Sequence, residues 1–240
     1  MPELAERNGC LVQPVTTTAS LADQVRDRVV EHLDQVLTRK RSCTVALTGG
    51  STPAAAYRSL SEAGLPWHRI HVLQTDDHLV PDSDTGPSWD VIQRNLLDRC
   101  DPPSANRHPM PVRGGPDLAA AVRGYDARIR RLLQGGGPDV VILGLGEDGH
   151  TASIFDGDLS ALAVDRMVVT TAPYRGVRRM TLTQRVLAHA DLRLVLACGA
   201  AKAGAVAELL GGASPRTAAA SAVLGDGGIL LTDVATGRAA

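Results

Sequence analysis

The sequence predicts an α/β fold, with a mainly parallel sheet covered by helices on both sides, in a single domain over residues 1–240. Short apolar strands alternate with amphipathic helical segments, a succession that gathers the strands into one sheet and lays the helices on its faces. The run "DVVILGLG" (139–146) is apolar without alternation, as a strand buried on both faces must be. Three polar loops, at 48–53, 75–81 and 144–153, are rich in Gly or Asp, and each follows a predicted strand. In such sheets ligands bind beyond the carboxyl ends of the strands, so the three loops are expected to build one composite site.

The elements follow in order. Leu21, Val25, Val29, Leu33 and Leu37 recur at steps of four and predict a helix over 21–37. A short apolar strand spans 42–47. "TGGSTP" follows it, and Pro53 suits the first turn of a helix over 54–63. Residues 70–74 form the next strand, ending in "TDDHLVP". Asp, Ser, Gly and Pro make 82–88 a loop, after which 91–97 returns to a helical pattern. Frequent prolines and glycines make 101–116 a connection. The Ala-rich stretch 117–133, with arginines for its wet face, is helical, and 134–138 ends it. After the buried strand, 167–171, 179–183 and 192–198 read as strands, 202–210 as a helix and 228–231 as a last short strand. Ala218, Ala219 and Ala220 mark a small helix.

Composition bounds the partners. Hydrophobic residues make up 44% and aromatics only 2%, so the core is built from Ala, Val, Leu and Ile. Lys plus Arg number 25 against 26 Asp plus Glu, for a net charge of -1. That balance gives no support for broad binding to nucleic acid, whereas a local phosphate site needs only a few cations. Cys10, Cys43, Cys100 and Cys198 are scattered without a CxxC pair, so zinc-ribbon and redox-motif readings fail. Glu3, Glu6 and Arg7 stand where a secretory signal would be apolar, and no apolar run reaches the length of a membrane span. A cytoplasmic protein with no membrane or nucleic-acid partner is expected.

Each loop offers chemistry and a plainer alternative. In "TGGSTP", Gly49 and Gly50 let the backbone approach a ligand, Ser51 and Thr52 offer hydroxyls, and the next helix presents free N–H groups to a phosphate. The alternative is a tight turn with Thr52 as N-cap. The loop carries neither GK[ST] nor GxGxxG. Asp76 and Asp77, beside His78, can hold sugar hydroxyls or move a proton, or can be a polar turn before Pro81. A metal site has little support, since Asp148 and His150 supply too few ligands. His150 can act as a general base with Asp148 fixing its tautomer, and Gly149 between them permits unusual backbone angles. The alternative is a histidine capping a helix that begins near Thr151. Ser153 lacks the GxSxG elbow of a serine hydrolase. Arg179 and Lys202, beside apolar segments, are either anion ligands or charges facing water.

Together these motifs resemble the 6-phosphogluconolactonase family, of the larger glucosamine-6-phosphate deaminase and ribose-5-phosphate isomerase-like superfamily. The resemblance runs in order from "LTGGSTP" (47–53) through "LGLGEDGHTASIF" (143–155), "RRMTLT" and "GAAKAGAV" to "LLTDVAT" (230–236). It implies a doubly wound α/β/α sandwich, no cofactor, and a phosphosugar lactone as substrate. It places Arg179 and Lys202 on the family's phosphate-contacting basic positions. The chain departs from the pattern at three points. The family's Asp-Glu-Arg is here Asp76-Asp77-His78, its Ser-Asn-Tyr is "PSWD" with Trp89 near the aromatic position, and Asp156 replaces a proline. The deaminase branch has a glutamate five residues after the histidine, where this chain has Phe155.

The resulting expectation is a lactone hydrolase of the pentose phosphate pathway, acting as a monomer or small homo-oligomer. His150 activates water and Asp148 orients it. Gly49, Gly50, Ser51, Thr52, Arg179 and Lys202 hold the phosphate, while Asp76, Asp77, His78 and Gly146 line the rest of the substrate site. A phosphosugar isomerase or deaminase, and a non-catalytic sugar-phosphate-binding paralogue, remain the alternatives.

Overall fold

The computed structural model describes residues 4–80, 85–112, 117–158, 162, 165–212 and 214–235. The chain opens with β1 (Ala5–Arg7) and β2 (Cys10–Pro14), followed by α1 (Thr18–Arg39) and β3 (Cys43–Leu47). Then come α2 (Ala54–Ser61), β4 (Ile70–Gln74) and β5 (Asp76–His78). α3 (Pro87–Ile92) passes through a π-helical turn at Gln93–Leu97 into α4 (Asp98–Cys100). β6 (Arg107–His108), α5 (Leu118–Leu132), β7 (Val140–Gly144), β8 (Val168–Thr170) and β9 (Arg179–Leu182) follow. The chain continues with α6 (Gln184–Ala188), β10 (Leu192–Ala197), α7 (Ala203–Gly211), α8 (Ala218–Leu224) and β11 (Ile229–Thr232).

Eight strands form the main sheet in the order β1-β2-β11-β10-β7-β3-β4-β6, parallel throughout except for the β1–β2 hairpin. Period-2 geometry divides its side chains between two cores. Cys43, Val45 and Leu47 of β3, with Val140 and Ile142 of β7, face α1 and α2. Ala46, Val141 and Leu143 face the other way, against apolar residues of α5, α6, α7 and α8. The expected α/β/α sandwich is therefore present. The strand order reverses between β3 and β7, so their carboxyl ends splay into a crevice. Asp139 pins this junction at its far end, where its Oδ2 accepts from the Thr44 backbone N–H at 2.7 Å and from the Thr44 hydroxyl at 2.9 Å.

α1 forms where its periodicity predicts and extends a turn further. Thr17 caps it, its hydroxyl oxygen accepting from the Ser20 N–H at 3.0 Å. Val36 rather than Leu37 completes the buried stripe. Arg69 closes the other end, donating to the Leu37 and Lys40 carbonyls at 2.9 Å each and so satisfying groups that a helix end leaves free. Among the described residues no helix is long and apolar enough to cross a membrane.

Several elements depart from expectation. β1 and β2 extend the sheet before the first helix, and β6 adds a two-residue edge strand inside the expected 101–116 connection. The expected loop over 82–88 overlaps α3, which starts at Pro87; residues 82–84 of it lie outside the described residues. Three strands also form a second sheet, in the antiparallel order β5-β9-β8. β5 follows β4 after one residue, and the Thr75 carbonyl accepts from the Leu182 N–H at 2.8 Å, which fastens the small sheet beyond the carboxyl end of β4.

Candidate active site

The carboxyl ends of β3, β7 and β10 open into a cleft of about 490 Å³. The loop after β3, Asp76 and His78 of β5, and the loop after β7 all reach it, as do Arg179 and Lys202. The composite site expected from the three loops is thus a single space, bounded by both sheets.

The β3 loop is shaped by its glycines. A Cβ on Gly49 would stand 2.5 Å from the Ser88 Oγ and 2.6 Å from the Ser88 Cα, so only glycine lets α3 pack this close. Gly50 has φ +94 with open space around it, and its requirement is conformational. Tyr57 holds the loop from below, donating to the Thr48 carbonyl at 2.7 Å. The N-terminus of α2 then faces the cleft, with its positive dipole end available to an anion. Pro53 occupies the N-cap and no side chain caps this end, so Thr52 is not the cap considered from sequence.

After β7 the chain doubles back on itself. Leu145 bridges to Thr151 and Thr151 to Ile154. The Thr151 hydroxyl donates to the Gly144 carbonyl at 2.9 Å, and the Gly146 N–H to the His150 carbonyl at 2.7 Å. Turns and bridges occupy residues 151–154, so His150 caps no helix there. Gly149 has φ +91, and a Cβ on it would meet the Arg216 carbonyl oxygen at 2.8 Å. A Cβ on Gly146 would stand 2.3 Å from His150 Nδ1 and 2.5 Å from Asp148 Oδ1. Gly146 thus makes room for a direct Asp148–His150 pair, and Gly149 for the chain at Arg216.

In that pair His150 Nδ1 hydrogen-bonds Asp148 Oδ1. Tyr174 donates its hydroxyl to the other oxygen, Oδ2. Burial pushes the Asp148 carboxyl up, but the bonds from Tyr174 and His150 outweigh it and hold the group well below the usual carboxylate range. Phe155 stacks on Tyr174 at 4.0 Å with ring planes 7° apart, and lies 4.9 Å from the His150 ring. The Arg179 guanidinium sits 5.0 Å from the Phe155 ring centroid, within cation–π range.

The small sheet forms the facing wall. His78 and Arg179 are paired across β5 and β9. Burial, then the neighbouring Arg179, lowers the His78 pKa, with Asp76 pulling weakly the other way. Asp76 lines the cleft, its Oδ2 accepting from Ser153 Oγ at 2.6 Å and its Oδ1 from the Thr75 hydroxyl at 2.8 Å. Ser153 is fully buried.

Asp77 corrects the sequence expectation. It is fully buried and absent from the cleft wall. Its carboxylate accepts from the backbone N–H groups of His78, Ser88 and Trp89 at 2.8, 3.1 and 3.0 Å, and from Gln74 Nε2 at 2.6 Å. It therefore anchors the first turn of α3 rather than meeting a sugar. Gly86 makes this possible, since a Cβ there would fall 2.3 Å from Asp77 Oδ1. Among the described residues no three His, Cys, Asp or Glu side chains gather as metal ligands.

The model of the glucosamine-6-phosphate isomerase/6-phosphogluconolactonase family matches residues 16–231. The chain belongs to this family. It is 32% identical over 186 residues to a 6-phosphogluconolactonase from Synechocystis, covering 75% of this chain and 77% of that one. It is also 32% identical over 209 residues to the 6-phosphogluconolactonase of Mycobacterium tuberculosis, covering 82% and 85%. The crystal structure of a 6-phosphogluconolactonase from Thermotoga maritima superposes with a TM-score of 0.79 at 31% identity, covering 92% of this chain and 98% of that one. Membership and fold thus agree with the resemblance read from the motifs. Tyr174 escaped that reading. Its one signal was an aromatic residue before an Arg-Gly turn in a chain with three tyrosines.

Proposed function

We propose that this protein hydrolyses 6-phosphogluconolactone to 6-phosphogluconate with His150 as general base. The observation that carries the reading is the His150–Asp148 pair: with Nδ1 committed to the carboxylate, Nε2 is the nitrogen left to take a proton at the cleft. Water attacks the lactone carbonyl carbon while its proton passes to Nε2. The tetrahedral intermediate then expels the ring oxygen, which takes that proton back. One water is consumed and the imidazole is restored. Asp148, ionised, fixes the tautomer and stabilises the imidazolium formed between the two steps.

The same cleft suits the phosphate. Gly49, Gly50, Ser51 and Thr52 lead into the α2 N-terminus, and Arg179 and Lys202 add two cations. Asp76 lines the same cleft and offers its carboxylate to sugar hydroxyls. The relatives' names support the same substrate.

The test is spectroscopic hydrolysis of freshly made 6-phosphogluconolactone, corrected for spontaneous opening. His150→Ala is expected to lose ~100- to 10,000-fold in kcat while folding normally. Undiminished turnover by the folded variant would defeat the mechanism. Solvent deuterium appearing at C2 of a phosphosugar would instead favour an isomerase or deaminase, and tight sugar-phosphate binding without turnover a sensor.

A further inference from the structure

We propose that Tyr174 is a positioning residue of this site, acting on His150 through the second oxygen of Asp148. The other two tyrosines are buried and donate to backbone carbonyls, Tyr57 to Thr48 and Tyr125 to His108. Tyr174 alone donates to a carboxylate, and that carboxylate holds the base.

The local chain is built to deliver this hydroxyl. Residues 174–177 close a tight hairpin, with the Tyr174 N–H donating to the Val177 carbonyl at 3.0 Å and the Val177 N–H returning at 3.1 Å. Arg175 and Gly176 take φ +51 and +78, the left-handed pair that a two-residue hairpin turn needs. The ring is then fixed by stacking on Phe155, with the Arg175 and Arg179 guanidinium groups 5.3 and 5.7 Å from its centroid.

Two consequences follow for Asp148. A carboxylate with one partner can swivel about its terminal bond, whereas one gripped through both oxygens cannot, and His150 inherits that fixed direction. The Tyr174 hydroxyl also takes up part of the carboxylate's charge, so Asp148 holds a proton on the imidazole less tightly. The other charged groups nearby are Arg175, which bears on the Tyr174 hydroxyl, Glu147 next in the chain, Arg216, which donates to the Asp148 carbonyl and pairs with Glu208, and Arg179, Asp76, His78 and Lys202 around the cleft. None of them bonds the Asp148 carboxylate.

The kinetic arm of the test rests on the lactonase reading; a second arm does not. Tyr174→Phe keeps the stacked ring and removes only the hydroxyl. Its kcat is expected to fall about tenfold, the rate equivalent of one hydrogen bond to a charged group. KM should stay within about twofold, and the acid limb of the kcat profile should move to higher pH. In an Asp148→Asn background the same change should cost nothing further, because the hydroxyl has no charge to act on. Without substrate, the pH at which the His150 ring signals change in NMR spectra should rise in Tyr174→Phe, and should not respond to that substitution when Asn occupies position 148. A wild-type rate and profile for Tyr174→Phe, or an equal loss in both backgrounds, would overturn the proposal. If the protein hydrolyses no lactone, the lactonase reading falls and the NMR comparison decides the role of Tyr174 alone.

Discussion

Gly146→Ala tests the dyad without touching either member. Gly146 lies outside the left-handed region, so alanine brings no backbone strain. Its methyl would, however, stand 2.3 Å from His150 Nδ1 and 2.5 Å from both Asp148 Oδ1 and His150 Cε1. Restoring an ordinary 3.4 Å contact requires the imidazole to retreat by about 1 Å. Both side chains are partly exposed, 26% for His150 and 29% for Asp148, so they yield before the buried strand does. A displacement of about 1 Å at a reacting group costs on the order of 100-fold in rate. The expected result is therefore a kcat lower by roughly two orders of magnitude, with a melting temperature within a few degrees of wild type. Steady-state hydrolysis and calorimetry measure both. Because Gly146 also lines the cleft, KM must be read separately. A raised KM with an intact kcat would mean that the methyl meets substrate instead of the dyad, and the reasoning would be wrong.

His78→Arg should lower KM for the phosphorylated lactone at pH 7. Burial and Arg179 hold His78 below the ordinary histidine range, so it is neutral there, and arginine supplies a permanent charge. In the wild type KM should fall as the pH drops through the lowered His78 range, and in His78→Arg that component should vanish once the phosphate's own titration is subtracted. An unchanged KM would place residue 78 outside the phosphate's reach. Asp77→Ala should destabilise the fold by about 3 kcal/mol, because it strips a buried carboxylate from four donors, two of them in the first turn of α3. Thermal denaturation should register this as a drop of roughly 10 °C, and a drop of only a degree or two would deny Asp77 its anchoring role.

The legible part of this sequence was the part whose signal is local. β4 was found to the residue because Ile70, Val72 and Leu73 run into a polar loop, and α1 because one apolar stripe repeats from Leu21 to Val36. The His150 loop was legible because its glycines and acid have no use in a core. β5 was not, because a strand of two aspartates and a histidine carries no apolar alternation, and what makes it a strand is pairing with β9, about a hundred residues away. For the same reason Asp76 and Asp77 looked equivalent. Successive strand residues point to opposite faces, which sends Asp76 to the cleft and Asp77 beneath α3. Tyr174 lies 26 residues from its carboxylate partner, and no spacing rule links a hairpin to a dyad across that distance.

The cleft draws its two sides from different sheets. The Asp148–His150 loop springs from the eight-stranded sheet, while His78 and Arg179 stand on the three-stranded one. The two are tied together, since Asp76 accepts from Ser153 in the His150 loop and Tyr174, on the hairpin between β8 and β9, donates to Asp148. His78, the residue that the family resemblance marked as a departure, stands on that smaller sheet. The Asp148–His150 pair is thus held jointly by both sheets, and a change at either wall is felt at the other.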